Sequence, residues 1–221
     1  MERKMNERAK GMLATGAAEL GINLGSHEMG KLHDFAAELK KWSSKINITA
    51  IKGDEDIAVK HFIDSLTILK VIGEKGYLLD IGSGGGFPAI PVKIARCDLR
   101  VMSVDAVEKK IIFQRHAARL LGLSGFEAVH ARGEELSAPY DESFDWVVSR
   151  AFADISTFVR IALPLVKTGG SVIAMKGRDG REEAVSSAAR LREMGGEVRE
   201  IIEFKLPICG DARSLVIINR I

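Results

Sequence analysis

Residues 78–91 read LLDIGSGGGFPAIP: an acid at Asp80, then four glycines in the five positions from Gly82 to Gly86. Glycine has no side chain to hold a ligand away from the main chain and accepts positive φ, so such a loop suits very close contact between a ligand and backbone N–H groups. From Gly82 the spacing is G-x-G-x-G through Gly84 and Gly86. A dinucleotide fingerprint would place a third glycine where Phe87 stands, and a pyrophosphate needs close helix approach at that point. Asp105, nineteen residues after Gly86, is the acid that would accept hydrogen bonds from both hydroxyls of a ribose. Loop and acid together point to a ligand that carries a nucleoside without a pyrophosphate. Asp80 is suited either to capping the loop amides or to meeting the ligand's polar end.

For these residues to converge, the chain must put them at one edge of a sheet. YLLDI, RVMSVDA, FEAVHAR, FDWVVSRA and GGSVIAMKG read as strands. EKKIIFQRHAARLLG, FVRIALPLV (ended or broken at Pro164) and REEAVSSAARLREMGG read as helices between them. Alternation of this kind gives a mainly parallel sheet covered on both faces. EVREIIEFKL and RSLVIINRI follow with only PICGDA between them, too short for a crossover helix, so the last pair is antiparallel. Seven strands with this ending predict an α/β, Rossmann-like seven-stranded fold of the S-adenosylmethionine (AdoMet)-dependent methyltransferase type. The expected cofactor is AdoMet. Ligands of such sheets bind beyond the carboxyl ends of the strands. That places Gly133 and Glu134, after the third strand, beside an adenine, and Arg150, at the end of the fourth, on the rim where methyl donor and acceptor meet.

Residues 1–72 show no strand pattern. In SHEMGKLHDFAAELKKWSSKIN, Ser26 is a candidate N-cap, and Leu32, Phe35, Ala36, Leu39 and Trp42 recur at helical spacing. A further helical stretch runs through DEDIAVKHFIDSLTILK towards Gly73. The expected organisation is a helical extension over 1–72, packed on an AdoMet-dependent domain over 73–221.

The whole chain has 221 residues, 46% of them hydrophobic, with a formal charge of +2 and a pI near 8.5. This permits a nucleic-acid partner without requiring one. No run is apolar enough to span a bilayer, and Glu19 interrupts what would be the core of a signal peptide. Cys97 and Cys209 share no metal-ligand spacing, so no metal is expected and both thiols read as inert in a reduced, cytoplasmic chain. The sequon at Asn47–Thr49 is then irrelevant as a glycosylation site.

Taken in order, NITAI (47–51), VKHFIDSL (59–66), LLDIGSGGGFPAIP, VDAVEKKIIFQ (104–114), RGEE (132–135), VVSRAF (147–152) and MKG (175–177) resemble the motifs of the RsmG (GidB) family, over about residues 30–215. The resemblance implies methyl transfer from AdoMet to nitrogen 7 of one guanine in the 16S rRNA of the small ribosomal subunit. It also puts Gly82, Phe87, Gly133, Glu134 and Arg150 on the family's cofactor-binding positions. Ala89 departs from the family's pattern, whose loop usually carries glycine there.

Guanine nitrogen 7 has an in-plane lone pair and no proton to lose, so its methylation needs positioning rather than a base or nucleophile. The sequence agrees: it has neither the N/D-P-P-Y/F/W motif of amino-group methylation nor a Pro-Cys loop after the fourth strand. No residue is assigned as a catalyst, with Arg150 the candidate at the rim. Lys40, Lys41, Lys45, Lys52, Lys60, Lys176, Arg178 and Arg181 form a candidate basic rim for phosphates, although acids are interspersed. Phe87 and Phe152 are suited to base stacking or to core packing, and His61 with Asp64 to helix packing more than to catalysis. A monomer is expected. Three other readings stand beside this one: an NAD oxidoreductase, which lacks its third glycine and any Y-x-x-x-K, a non-enzymatic assembly factor, and a small-molecule methyltransferase.

Overall fold

The computed structural model describes residues 5–136, 140–150, 152 and 154–221. Ala151 of the VVSRAF motif falls outside them. Strands β1 (Gly76–Ile81), β2 (Leu99–Asp105), β3 (Phe126–His130), β4 (Phe144–Ser149), β5 (Val166–Lys176), β6 (Gly196–Lys205) and β7 (Ala212–Arg220) make one sheet. Their order is β3-β2-β1-β4-β5-β7-β6. β6 and β7 pair antiparallel, as expected, and β7 inserts between β5 and β6, antiparallel to both. Ile81 pairs with Val104, Asp80 with Val148 and Asp105 with His130. The carboxyl ends of β1 to β4 therefore lie level, and the chain reversal between β1 and β4 is the switch point at which open α/β sheets bind ligands.

The helices that precede the sheet begin with α1 (Glu7–Glu19) and α2 (Ser26–Ser43). Asn6 caps α1 by accepting from the Ala9 N–H at 2.8 Å. α2 begins at Ser26 itself, after an extended Gly25 with no side-chain cap bond, so the serine is the first helical residue rather than the cap. α3 is composite: Asp54–Asp56, a π-helical segment Ile57–Ile63, Asp64–Leu66 and a 3-10 end Thr67–Lys70. The apolar spacing announces a helix there but cannot distinguish i→i+5 from i→i+4 bonding. Within the domain come α4 (Ala89–Ala95), α5 (Glu108–Leu120), α6 (Ile155–Ala162, closed by Pro164 in a 3-10 turn) and α7 (Gly180–Glu193). The Gly169–Gly170 pair lies inside β5. It is a bulge that shifts the register between Phe144 and Trp146, with φ +82° at Gly169.

Alternation along the strands divides the core. Leu79, Ile81, Met102 and Val104 pack with α6, whereas Leu78, Val101 and Val148 pack with the end of α3. The helical extension has no separate core: Leu13, Leu32, Phe35 and Phe62 share one cluster with Phe87, Ile90 and Phe113. Phe35 is the hub, with its ring centroid 5.7 Å from Phe62, 5.5 Å from Phe87 and 6.0 Å from Phe113. Burial of Phe35 thus seats the extension directly on the glycine loop.

Candidate active site

The glycine loop is an ordered turn. Gly82, Gly84 and Gly86 have φ of +75°, +58° and +89°, which explains why glycine recurs at every second position. A side chain on Gly86 would press on Ile90 at 2.5 Å, while one on Gly84 would project into open space. The Gly82 and Ser83 N–H groups donate to the Val104 carbonyl at 2.8 and 3.1 Å. Asp105, at the end of β2, accepts from Gly84 N–H on one oxygen and from Val107 N–H on the other, both at 2.8 Å. Each oxygen keeps a second lone pair at the level of the loop, as two ribose hydroxyls would require.

A buried polar network underlies the loop. The Ser103 hydroxyl donates to Gln114 Oε1 and lies 2.6 Å from Ser83 Oγ, and Gln114 Nε2 donates to Ser83 Oγ and to the Gly84 carbonyl, both at 2.8 Å. Sequence reading missed Gln114; its place in an otherwise amphipathic helix, on the side facing the loop, was the available signal. Asp80 is fully buried. Its Oδ2 accepts from Ala89 N–H at 3.1 Å, and its Oδ1 has no partner. Burial pushes its carboxyl well above the usual range. Asp80 therefore caps the loop's exit through the Ala89 N–H. Ala89 starts α4 with ordinary helical backbone, so this loop does not need glycine there.

Arg150 does not project freely. Its Nη1 donates to Asp64 Oδ2 at 3.2 Å and to the Lys60 carbonyl at 3.1 Å, and its Nη2 lies 3.4 Å from His61 Nδ1. The guanidinium stands over the Phe87 ring, 5.4 Å from its centroid. His61 stacks on the same ring, 4.1 Å between centroids. The Phe87 ring is thus packed rather than open to a base, and Phe152 stacks on Phe158. Because a guanidinium can only donate, His61 Nδ1 accepts and the Nε2 proton points to Thr49 Oγ1, 2.8 Å away. Burial, with Arg150 beside it, lowers the His61 pKa to about 3, so the imidazole is neutral and structural. Asp64 also accepts from Arg213 Nε at 2.8 Å, a contact across 149 residues that no local motif announces. Lys60, His61, Asp64, Arg150, Lys176 and Arg213 line a cleft of about 380 Å³ at this edge.

Gly133 and Glu134 form a 3-10 turn after β3. A Cβ on Gly133 would meet Ile81 and Ile161 at 2.9 Å, so only glycine lets the turn lie against the sheet end. Six of the eight rim candidates are ion-paired: Lys40 with Asp54, Lys41 with Glu38, Lys60 with Asp56, Lys176 with Glu183, Arg178 with Asp179 and Arg181 with Glu203. Lys176 also donates to the Phe152 carbonyl at 3.1 Å, tying down the segment after β4. Cys97 and Cys209 are both exposed. Among the described residues, no three His, Cys, Asp or Glu side chains gather as metal ligands, and no helix is long and apolar enough to cross a membrane.

A family model described as GidB, rRNA small subunit methyltransferase G, matches residues 28–215. A protein of Geotalea uraniireducens named ribosomal RNA small subunit methyltransferase G is 60% identical over 98% of this chain and 99% of its own. Among solved structures, M. jannaschii TYW2 in complex with AdoMet aligns with a TM-score of 0.57 at 12% identity, over 72% of this chain and 75% of that one. A 16S rRNA (adenine(1408)-N(1))-methyltransferase from Catenulisporales acidiphilia aligns with a TM-score of 0.57 at 15% identity, over 66% and 88%. At those identities the two structures speak for the fold.

Proposed function

The chain belongs to the GidB family of rRNA small subunit methyltransferases, and from that premise we propose that it methylates nitrogen 7 of one guanine in 16S rRNA, using AdoMet. The observation that carries the reading is the glycine loop fixed on Asp105 through Gly84, within a chain matched by the family from residue 28 to residue 215. AdoMet supplies an electrophilic methyl group on a sulfonium. Asp105 holds the ribose, and Gly82, Gly84 and Gly86 bring the backbone close. Phe87 fixes the loop through its buried ring. Gly133 and Glu134 face the adenine, and Arg150 stands at the rim towards the acceptor. No side chain needs to take a proton from a nitrogen that has none, and the neutral His61 accords with that. The chain's work is orientation and exclusion of water. Residues 1–72 act as a helical extension of the AdoMet-dependent domain at 73–221, and the enzyme works as a cytoplasmic monomer without a metal.

The test is transfer of radiolabel from AdoMet to small ribosomal subunits of a strain lacking this gene, with subunits of the intact strain as control. Label should enter only the unmodified RNA, at a guanine that then cleaves under 7-methylguanine chemistry. AdoMet binding without label in either RNA would favour an assembly factor.

A further inference from the structure

We propose that Arg213 binds a phosphate of the acceptor RNA strand and that Asp64 is the positioning residue that aims it; this rests on the rRNA reading above. Arg213 is the second residue of β7, whose start pairs with the end of β5 through Ser214 and Lys176. That places it at the sheet edge where Arg150 ends β4, on the acceptor side of the glycine loop. Asp64 is buried and takes Arg213 Nε on Oδ1 and Arg150 Nη1 on Oδ2. One carboxylate thus serves two guanidiniums, and the exposed Asp211, 3.5 Å from Arg213 Nη2, is the second acid beside them.

The Nε bond fixes the plane of the Arg213 fork. Its outer edge meets only the Ala212 carbonyl at 3.1 Å and, at 3.5 Å, the exposed Asp211. A guanidinium held along one edge, with the other edge weakly engaged in a cleft, matches paired phosphate oxygens. The same cleft is lined by Met175, Phe204 and Leu215, apolar surface suited to a base. Lys60 pairs with Asp56 and Lys176 with Glu183 and the Phe152 carbonyl; Arg213 differs in being anchored through Nε to a buried carboxylate, and a phosphate would displace the exposed Asp211 from its Nη2.

The experiment compares the wild-type protein with Arg213→Gln and Arg213→Lys, using unmodified small subunits. It measures equilibrium binding across a salt series, methyl transfer, and AdoMet affinity by calorimetry. Arg213→Gln should weaken subunit binding about tenfold and reduce the slope of log K against log salt by about 0.7, the share of one single-strand phosphate. AdoMet affinity should stay within about twofold, because the fork contributes nothing to the cofactor side. Arg213→Lys should restore the slope and part of the affinity. An unchanged salt slope overturns the proposal, as does an AdoMet affinity that falls as far as subunit affinity. Wild-type protein that binds subunits but transfers no methyl group counts against the function alone, and the slope of Arg213→Gln still decides the phosphate site. Wild-type protein that does not bind them overturns both.

Discussion

Around the glycine loop, hydrogen-bond partners lie no more than 31 residues apart in the chain, as in Ser103–Gln114, Ser83–Gln114 and Gly84–Asp105. Around Asp64 they lie 86 and 149 residues apart. The first region is a set of mostly neutral bonds within one β-α-β-α unit. The second is an ionic knot that fastens the helical extension to the ends of β4 and β7. Local closure supplies the loop's hydrogen bonds from within that unit, and the extension adds packing on Phe87. The knot exists only once the extension has docked, so it couples the acceptor edge to the whole fold.

Breaking the knot should have the largest effect. Asp64→Ala leaves two guanidiniums without their shared carboxylate, a loss of about 3–5 kcal/mol typical of a severed buried pair. That lowers the melting temperature by roughly 6–20 °C for a chain of this size, as calorimetry would show. If the melting point barely moves, the extension is held by Phe35 and its neighbours alone.

Acid should weaken the same region next. With the His61 pKa at about 3 in the folded protein and about 6.5 unfolded, the unfolded chain takes up a proton as pH falls through 6.5 and the folded one does not. The stability that neutral His61 contributes is complete above pH 6.5 and should decline by a few kcal/mol towards pH 3. Replacing His61 with Phe should flatten this part of a stability–pH curve; an unchanged curve would place the acid sensitivity elsewhere.

On the loop side the losses should be read in cofactor affinity. Asp105→Ala removes the Gly84 anchor together with the proposed ribose acceptor and should raise the AdoMet Kd about a hundredfold by calorimetry. Gln114→Leu should have the smallest effect, about tenfold in AdoMet Kd, since it strips partners from Ser83, Ser103 and the Gly84 carbonyl without touching the ligand. Subunit affinity should change little in either variant. If Gln114→Leu instead weakens subunit binding as much as cofactor binding, the two regions are not separable.

The loop half was legible in the sequence because its geometry is local. Alternate glycines, each at positive φ, write themselves as G-x-G-x-G, and an acid ending the next strand follows at fixed spacing. The seven strands and the antiparallel finish were equally legible, from short links and hydrophobic rhythm, whereas the order of the strands across the sheet was not. What was not legible has a physical cause in each case. The π segment has the same apolar spacing as an α-helix. The Gly169–Gly170 bulge looks like a turn when its pairing partner is unseen. The acids beside the basic rim were legible, but not that Lys40 and Arg181 take Asp54 and Glu203 from other elements.

The sequence by itself determined the alternating fold, the glycine cradle with Asp105, and the resemblance that leads to the family, since each depends on contacts between near neighbours or on residue order. Only the tertiary structure decided that Arg150 is held by Asp64 rather than standing alone, that Phe87 is buried under His61, and that Arg213 returns from the end of the chain to the same carboxylate. Those contacts join residues that no spacing rule relates, and they form when the burial of Phe35, Phe62 and Phe113 brings the extension onto the sheet edge.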